Sequence, residues 1–240
     1  MMKIKGKRFV ASIEPIGLLN GSAIAPVTMK QQAYELIKDA ILYRRLQIGI
    51  TYSQDALCSE LNISRTPVRE VLKMLEQQKL IFTYPGRATI VADLALDDIE
   101  SYYLPMQTLQ CLAVRLAVEK ADAADVEELE RLNAEFGEVM ENANDAESIL
   151  MADKSFHEKI LEIAGNEYIE EFCSALWVHI ARLDYLFFRN NTMGTSYNDH
   201  KLMIESFRMK DPFGAELAMK NNWNYSMLAV KAVNDKGSIA

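Results

Sequence analysis

Apolar residues recur at helical spacing along most of the chain, and one such stripe predicts a helix that begins near residue 65. Four residues stand at positions i, i+3, i+4 and i+7, on one face of that helix: Val68, Val71, Leu72 and Leu75. Ser64 is a residue type that favours the N-cap. Pro67 falls in the first turn, where its missing N–H has no intrahelical partner to lose. The pattern therefore predicts an amphipathic helix with a sharp start.

The opposite face of this helix is basic, since Arg65, Arg69 and Lys73 recur at every fourth position. A second short helix is predicted from Tyr52 to Leu61, and Asn62-Ile63 makes a tight connection between the two. Two short helices joined by a tight turn are typical of a helix-turn-helix. The pattern thus predicts one helix with a buried face and a basic face.

The flanking segments extend this motif. Apolar spacing predicts a preceding helix over about residues 33–41. Downstream, residues 80–83 and 89–91 are two β-type runs around Tyr84-Pro85-Gly86-Arg87, which indicates a hairpin with a basic tip. Three helices and a hairpin make a winged helix-turn-helix over residues 28–92.

After Ala92 the spacing is helical throughout, with no β-type alternation. Six helices are predicted, at about residues 97–120, 129–139, 149–163, 167–189, 195–209 and 212–233. Gly165-Asn166 marks the end of the third of these. We therefore expect an all-α antiparallel bundle over residues 98–235, joined to the first domain by a linker at 93–97.

Charge supports this division. The net charge of −8 conceals an asymmetry: residues 1–92 hold 13 Lys and Arg against 7 Asp and Glu, whereas residues 93–240 hold 13 against 27. The basic charge thus accompanies the helix-turn-helix, and the acidic bundle would be repelled from DNA. These observations make a solvated basic face without a ligand the weaker interpretation of the helix.

Composition and the N-terminus indicate where the protein works. The three cysteines are widely spaced and form no Cys-x-x-Cys pair, which is typical of reduced thiols in a cytoplasmic protein. No apolar run approaches the length of a membrane span. Residues 1–27 have a basic start, but Glu14-Pro15 and Asn20-Gly21 interrupt their apolar stretch. We interpret them as an N-terminal arm in preference to a signal peptide.

One set of polar residues in the bundle could hold a metal ion. Asp153 and His157 are spaced i, i+4, so their side chains share one helix face. His200 and Asn222 lie on two later predicted helices. Carboxylate and imidazole ligands suit a divalent ion such as Zn²⁺, Ni²⁺ or Mn²⁺. By spacing alone, an Asp-x-x-x-His sequence is more often a surface pair.

The first domain resembles the DNA-binding domain of the GntR family of bacterial transcription regulators. The resemblance covers residues 33–91 and is most specific at Ser64–Glu70, where seven consecutive residues follow the family signature. The chain departs from the signature at Ile48 and Ala88, where the family usually has proline and glycine. The resemblance implies binding to a double-stranded DNA operator through Ser64, Arg65, Thr66, Arg69, Lys73 and Arg87.

Residues 97–232 resemble the helical FCD effector domain found in the FadR-like subfamily. The resemblance rests on the Asp153 to His157 segment, on Gly165-Asn166 and on Asp199-His200. It implies a metal site of Asp153, His157, His200 and a fourth residue on the last helix. That residue is Asn222 here in place of the usual histidine, and an amide oxygen is a poorer ligand for Zn²⁺ or Ni²⁺ than imidazole is.

A small-molecule effector is expected in the same bundle. His179 belongs to an apolar stripe on the fourth bundle helix, and Arg182 is close to it in sequence. The simpler interpretation of His179 is a core histidine with one hydrogen bond. The alternative makes His179 an effector-binding residue, with Arg182 anchoring a carboxylate. Met106 and Gln110 replace the Arg and Glu common in the family, which makes the cavity less charged.

We therefore expect a cytoplasmic, homodimeric and effector-responsive transcription regulator that binds an inverted repeat. The main alternative is a metalloenzyme, in which the bundle transforms a small molecule and the N-terminal domain acts as a tether. A third possibility keeps the regulator but makes the metal structural or absent. No Ser/His/Asp triad, reactive Cys–His pair or glycine-rich phosphate loop supports an enzyme.

Overall fold

The structure is a computed structural model, and it describes residues 29–84, 88–94, 96–142, 145–187 and 194–235. Two predicted features lie outside these ranges: the N-terminal arm of residues 1–27 and the wing tip with Arg87. Among the helices of these described ranges, none combines the length and the apolar character that a membrane span requires.

The N-terminal region contains three helices and a small sheet, as the winged helix-turn-helix prediction requires. The elements are α1 (Met29–Leu42), β1 (Thr51–Ser53), α2 (Gln54–Leu61), α3 (Arg65–Gln77), β2 (Ile81–Tyr84) and β3 (Ala88–Val91). The strands form an antiparallel sheet in the order β1-β3-β2. Residue 52 pairs with residue 89 on one side of β3, and residue 82 pairs with residue 90 on the other.

The predicted apolar stripe of α3 forms the centre of this domain. Val68, Val71 and Leu75 are fully buried and Leu72 is nearly so. They pack with buried residues of α1, among them Ile37. At about 25 cal/mol per Å² of apolar area, such burial is the main contribution that holds α3 against the other two helices. The basic face of α3 is thereby turned to solvent.

One local prediction in this domain was wrong. Thr51–Ser53 form a strand, so the helix that we expected from Tyr52 begins two residues later. Ser53 is its N-cap, and the Ser53 hydroxyl accepts a hydrogen bond from the Ala56 N–H. Ser64 occupies the predicted N-cap position of α3, although its side chain makes no capping hydrogen bond within the part of the chain that the structure describes. Asn62, with φ of 52°, supplies the left-handed residue in the turn between the helices.

A 3₁₀ turn at Leu96–Asp98 leads into six helices, as predicted. They are α4 (Glu100–Lys120), α5 (Ala123–Asn142), α6 (Ala146–Ala164), α7 (Glu167–Phe187), α8 (Gly194–Met209) and α9 (Pro212–Asp235). Helix α4 is central, packing against α6, α7 and α9. The Asp145 carboxylate caps the start of α6, and Gly165, with φ of 57°, ends it.

Helix α7 also contacts the N-terminal domain. Val178 and Ala181 are buried in the same apolar cluster as the core of α1 and α3. The rings of Tyr43 and Tyr185 meet edge to face with their centroids 5.6 Å apart. One helix therefore packs on the bundle with one side and on the winged helix-turn-helix with another.

Candidate functional site

The predicted DNA-contacting residues form one exposed surface on α3. Ser64, Arg65, Thr66, Arg69 and Lys73 are all exposed, so the structure brings five of the six predicted residues together. A groove of about 410 Å³ runs between α3 and the sheet. This surface offers cationic groups and hydroxyl groups at the start of a helix, which is suited to phosphates and base edges.

Asp55, which was not among the predicted site residues, restricts the position of Arg65. The Arg65 guanidinium donates to both carboxylate oxygens of Asp55, with Nε–Oδ1 and Nη2–Oδ2 distances of 2.9 and 3.0 Å. The Gln54 amide also donates to the Arg65 carbonyl at 3.2 Å. A two-point contact restricts the guanidinium more than a single ion pair does. Because the pair is exposed, DNA can replace the carboxylate at a cost of about 1 kcal/mol or less.

The predicted metal ligands meet in the interior of the bundle. His157 Nε2 lies 3.9 Å from Asp153 Oδ2, and His200 Nε2 lies 3.6 Å from Asp153 Oδ1. One ligand atom from each of these three residues lies within 4.8 Å of the other two. All three side chains are buried, and Asn222 on α9 is buried beside them. Residues from α6, α8 and α9 therefore surround one small polar space.

Burial shifts the pKa values of this cluster away from the charged forms. The pKa of Asp153 is raised to about 8 by burial and by the nearby Asp184 carboxylate. Burial lowers the pKa of His157 to about 4, and it lowers the pKa of His200 well below its ordinary value. The two imidazoles are thus neutral at pH 7, the form in which histidine binds metals.

The cluster is rich in polar atoms without a partner. Within the described residues, most buried side-chain nitrogen and oxygen atoms that lack a hydrogen bond belong to Asp153, His157, Asp199, His200 and Asn222. Such atoms cost about 1–3 kcal/mol each when nothing satisfies them. A carboxylate, two imidazoles and an amide are also a donor set that suits a borderline divalent ion. The residues present therefore fit the predicted metal.

An aromatic ring and an asparagine contact His200 from outside this cluster. The rings of Phe156 and His200 stack with their centroids 3.9 Å apart, and Asn133 Oδ1 lies 3.1 Å from His200 Nδ1. Asn133 was not among the predicted site residues, although the sequence carries a signal for it. On α5 it lies in the apolar stripe of Leu129 and Phe136, where a polar residue needs a buried partner.

Another buried pair lies nearby and was also missed. The Tyr103 hydroxyl on α4 donates to the Asp184 carboxylate on α7 at 2.5 Å. Burial raises the pKa of Asp184 to about 7, and the hydrogen bond from Tyr103 partly offsets this shift. The pair links α7 to the helix at the centre of the bundle.

A cavity of about 470 Å³ opens beside His157. Met106 and Gln110 line it, together with Trp177, Cys173 and the paired charges of Lys154 and Glu158. Among the residues that the structure describes, none forms a hydrogen bond with the buried Gln110 Oε1. The cavity therefore has the volume of a small-ligand pocket, and Gln110 Oε1 could accept a hydrogen bond from a ligand in it.

The structure places His179 and Arg182 elsewhere. Neither lines the cavity beside His157. His179 stacks on Tyr102 with a centroid separation of 4.8 Å, and the buried Arg182 guanidinium donates to the Ala92 carbonyl at 2.5 Å. Both therefore lie where α7 meets the end of the winged helix-turn-helix, and the pair is not brought together with the metal cluster.

Comparison with known proteins places these two regions in a family. Residues 29–91 match the profile described as bacterial regulatory proteins of the gntR family, and residues 103–224 match the FCD domain. The chain belongs to the GntR family. This membership confirms the predicted fold class, with a DNA-binding domain followed by an FCD effector domain. It also identifies the chain as a transcription regulator, so the metalloenzyme alternative is not supported.

Individual relatives of this chain are also described as transcriptional regulators. A regulator in the TAR-I ttuE-ttuC' intergenic region of Agrobacterium vitis is 30% identical over 63% of this chain and 90% of its own length. The HTH-type transcriptional regulator McbR of Escherichia coli is 25% identical over 81% of this chain and 91% of its own. The solved structure of E. coli McbR/YncC superposes with a TM-score of 0.78, covering 87% of this chain and all of that one at 20% identity. That structural similarity supports the fold.

Proposed function

We propose that this GntR-family protein is a homodimeric regulator that binds an inverted-repeat operator and responds to a small metabolite in its FCD domain with the help of a divalent metal. The observation that carries the proposal is the pairing of an exposed basic recognition helix with a buried cluster of metal-ligating side chains in one chain. The basic helix is suited to binding DNA. The buried polar cluster costs free energy unless a ligand binds to it.

In this proposal α3 enters the major groove. Arg65, Thr66 and Arg69 meet base edges and phosphates, while Ser64 and Lys73 add phosphate contacts. Arg87, at the wing, meets the adjacent backbone or minor groove. Arginine is suited to the base contacts because its planar fork donates two hydrogen bonds to guanine.

The metal would be held by Asp153, His157, His200 and Asn222. When bound, it would supply a positive charge that can attract an anionic ligand group. The chain's own residues set the rest of the site: the Phe156 ring covers one face of His200, and Trp223 lies beside His157 with a centroid separation of 5.2 Å. These apolar walls exclude water and so strengthen electrostatic interactions inside.

The effector would occupy the cavity beside His157. Its anionic group would face the metal cluster, and a donor group would satisfy Gln110 Oε1. Met106 offers only apolar contact where related proteins often have a charged residue. The cavity thus favours a compact metabolite that combines one anionic group with a hydrogen-bond donor.

The response would reach DNA through α7. Its Asp184 binds Tyr103 in the bundle, and its Arg182 binds Ala92, directly before the linker at 93–97. We therefore assign His179 and Arg182 to the contact between the domains. A shift of α7 on effector binding would move the winged helix-turn-helix, and a coupling free energy of about 1–3 kcal/mol is sufficient for regulation.

The dimer would form on α4 and α9. The two helices run antiparallel, since Arg115 pairs with Glu216 and Lys231 pairs with Glu100. Both helices carry exposed large apolar side chains, namely Leu104 and Leu112 on α4 and Phe213, Leu217, Tyr225 and Leu228 on α9. A two-fold copy would bury this face, and two recognition helices would then match the two halves of the operator.

The experiment is to incubate the purified protein with fragmented genomic DNA, recover the bound fragments and sequence them. We expect a short motif with two-fold symmetry, and cross-linked protein of twice the monomer mass. A motif without symmetry would contradict the dimeric arrangement, and recovery of no enriched sequence at low salt would contradict operator binding.

A further inference from the structure

The side chain of Asn133 is in an unusual place for an asparagine. It lies on the apolar stripe of α5, it is 3% exposed, and its carboxamide touches two groups. Its Oδ1 lies 3.1 Å from His200 Nδ1, and its Nδ2 donates to the backbone carbonyl of Tyr197 at 3.4 Å. Both partners belong to α8.

The Tyr197 contact fixes the orientation of the amide. A backbone carbonyl can only accept a hydrogen bond, so the atom of Asn133 that faces it must be the NH₂ group. The atom that faces His200 is then the carbonyl oxygen, which can only accept. It follows that His200 Nδ1 carries the hydrogen and donates it to Asn133.

This assignment determines the other ring nitrogen. A neutral imidazole carries one hydrogen, so His200 Nε2 has a free lone pair. That lone pair faces Asp153 Oδ1 at 3.6 Å, a distance too long for a hydrogen bond, and neither atom has another partner among the described residues. A divalent ion placed in this gap would bind both atoms, with Asp153 in its deprotonated form.

Packing against two aromatic rings prevents the His200 imidazole from rotating away from Asn133. The Phe156 ring stacks on it nearly parallel, at an angle of 14°, and the Phe136 ring lies 5.3 Å away at a tilt of 44°. A ring flip would exchange Nδ1 for a carbon atom and lose the contact with Asn133. The packing and the hydrogen bond therefore specify the same orientation.

We propose that Asn133 is a positioning residue, which holds His200 in its Nδ1–H tautomer so that Nε2 presents a lone pair to a metal beside Asp153. The proposal rests on the metal site of the proposed function, but its tautomer component concerns the metal-free protein. Substitution of such an orienting group lowers metal affinity by about 10- to 100-fold.

The test uses the full-length protein labelled with ¹⁵N-histidine, stripped of metal. Because the chain has three histidines, the ring nitrogens can be assigned, with His179→Gln removing the one outside the cluster. We expect His200 in the wild type to show a protonated Nδ1 and a bare Nε2. Asn133→Leu should give a mixture of tautomers, and its Zn²⁺ affinity in a chelator competition should fall by about 10- to 100-fold.

Two variants separate positioning from simple packing. Asn133→Asp retains an acceptor for Nδ1–H, so it should keep the wild-type tautomer even if Asn133→Leu fails to fold. Phe136→Leu removes a ring neighbour of His200 without touching the hydrogen bond, so it should lower stability and leave the tautomer unchanged.

A protonated Nε2 in the wild type would overturn the proposal, as would unchanged Zn²⁺ affinity in folded Asn133→Leu. If the wild type shows the expected tautomer but binds no Zn²⁺, Ni²⁺ or Mn²⁺, the metal site of the proposed function fails and the role assigned to Asn133 fails with it. If instead the wild type binds Zn²⁺ and folded Asn133→Leu binds it equally well, only the role assigned to Asn133 fails and the metal site stands.

Discussion

The stability of the metal-free protein should fall as pH rises from 6.5 to 8, because of Asp153. In the folded chain its pKa is raised from 3.8 to about 8, so it keeps its proton in this window while the unfolded chain has lost it. A folded state that binds more protons loses stability as pH rises. At about 1.4 kcal/mol per pH unit, the loss from this group is about 2 kcal/mol.

The histidines act in the opposite direction, but at lower pH. The pKa of His157 is lowered from 6.5 to about 4, so its contribution to stability is present above pH 6.5 and is lost as pH falls toward 4. The titration of His157 therefore opposes the effect of Asp153 on stability below pH 6.5, and it contributes little to the change of stability between pH 6.5 and 8. Asp184, whose pKa is raised to about 7, adds to the decline in the lower part of that window.

The assay is urea denaturation at fixed protein concentration and ionic strength, at several pH values, after chelation. Asp153→Asn should remove most of the slope between pH 6.5 and 8. The exposed Asp97, changed to Asn, should leave the slope as it is in the wild type. Saturation with Zn²⁺ should also remove most of the decline, since a metal-bound Asp153 carboxylate carries no proton in the folded state. A wild-type slope of zero, or an equal slope in Asp153→Asn, would refute the reasoning.

Other predictions concern the metal and the contact between domains. His157→Ala and His200→Ala should each lose the divalent ion found by elemental analysis of the wild type, while Asn222→His should retain it more strongly against a chelator, because imidazole is the better ligand. Retention of metal by both alanine variants would contradict the site. Arg182→Met should loosen the winged helix-turn-helix by about 1.5–3 kcal/mol, the free energy of a charge-assisted hydrogen bond, and so speed limited proteolysis within residues 93–97. An unchanged cleavage rate would refute this role.

The sequence predicted most of the helical architecture because the helix ends carry local signals. Gly165 ends α6 at a position that needs a left-handed residue. The apolar stripe of α3 correctly predicted which face of that helix is buried. Strand β1 was missed because it has three residues and depends on pairing with β3, which is distant in sequence. Such a strand has no periodicity of its own to detect.

The site was predicted less completely, for a physical reason that α7 illustrates. Its apolar residues face two interiors, the bundle and the winged helix-turn-helix, so periodicity placed His179 on an apolar face without showing which interior that face contacts. Phe172, seven residues before His179 and so on the same face of α7, is 59% exposed, which shows that this apolar stripe does not mark a single buried surface. The metal ligands were easier, because Asp153 and His157 share a helix face by spacing alone.

Operator affinity tests the central claim most directly. Fluorescence anisotropy with a labelled operator, at one salt concentration, would compare the wild type with Arg65→Ala, Arg69→Ala and the control Arg131→Ala, an exposed arginine on α5. We predict that each α3 variant weakens binding by about 1–3 kcal/mol, or roughly 5- to 150-fold, with an unchanged fold. The control should bind like the wild type. Wild-type affinity in both α3 variants would contradict the assignment of α3 as the recognition helix.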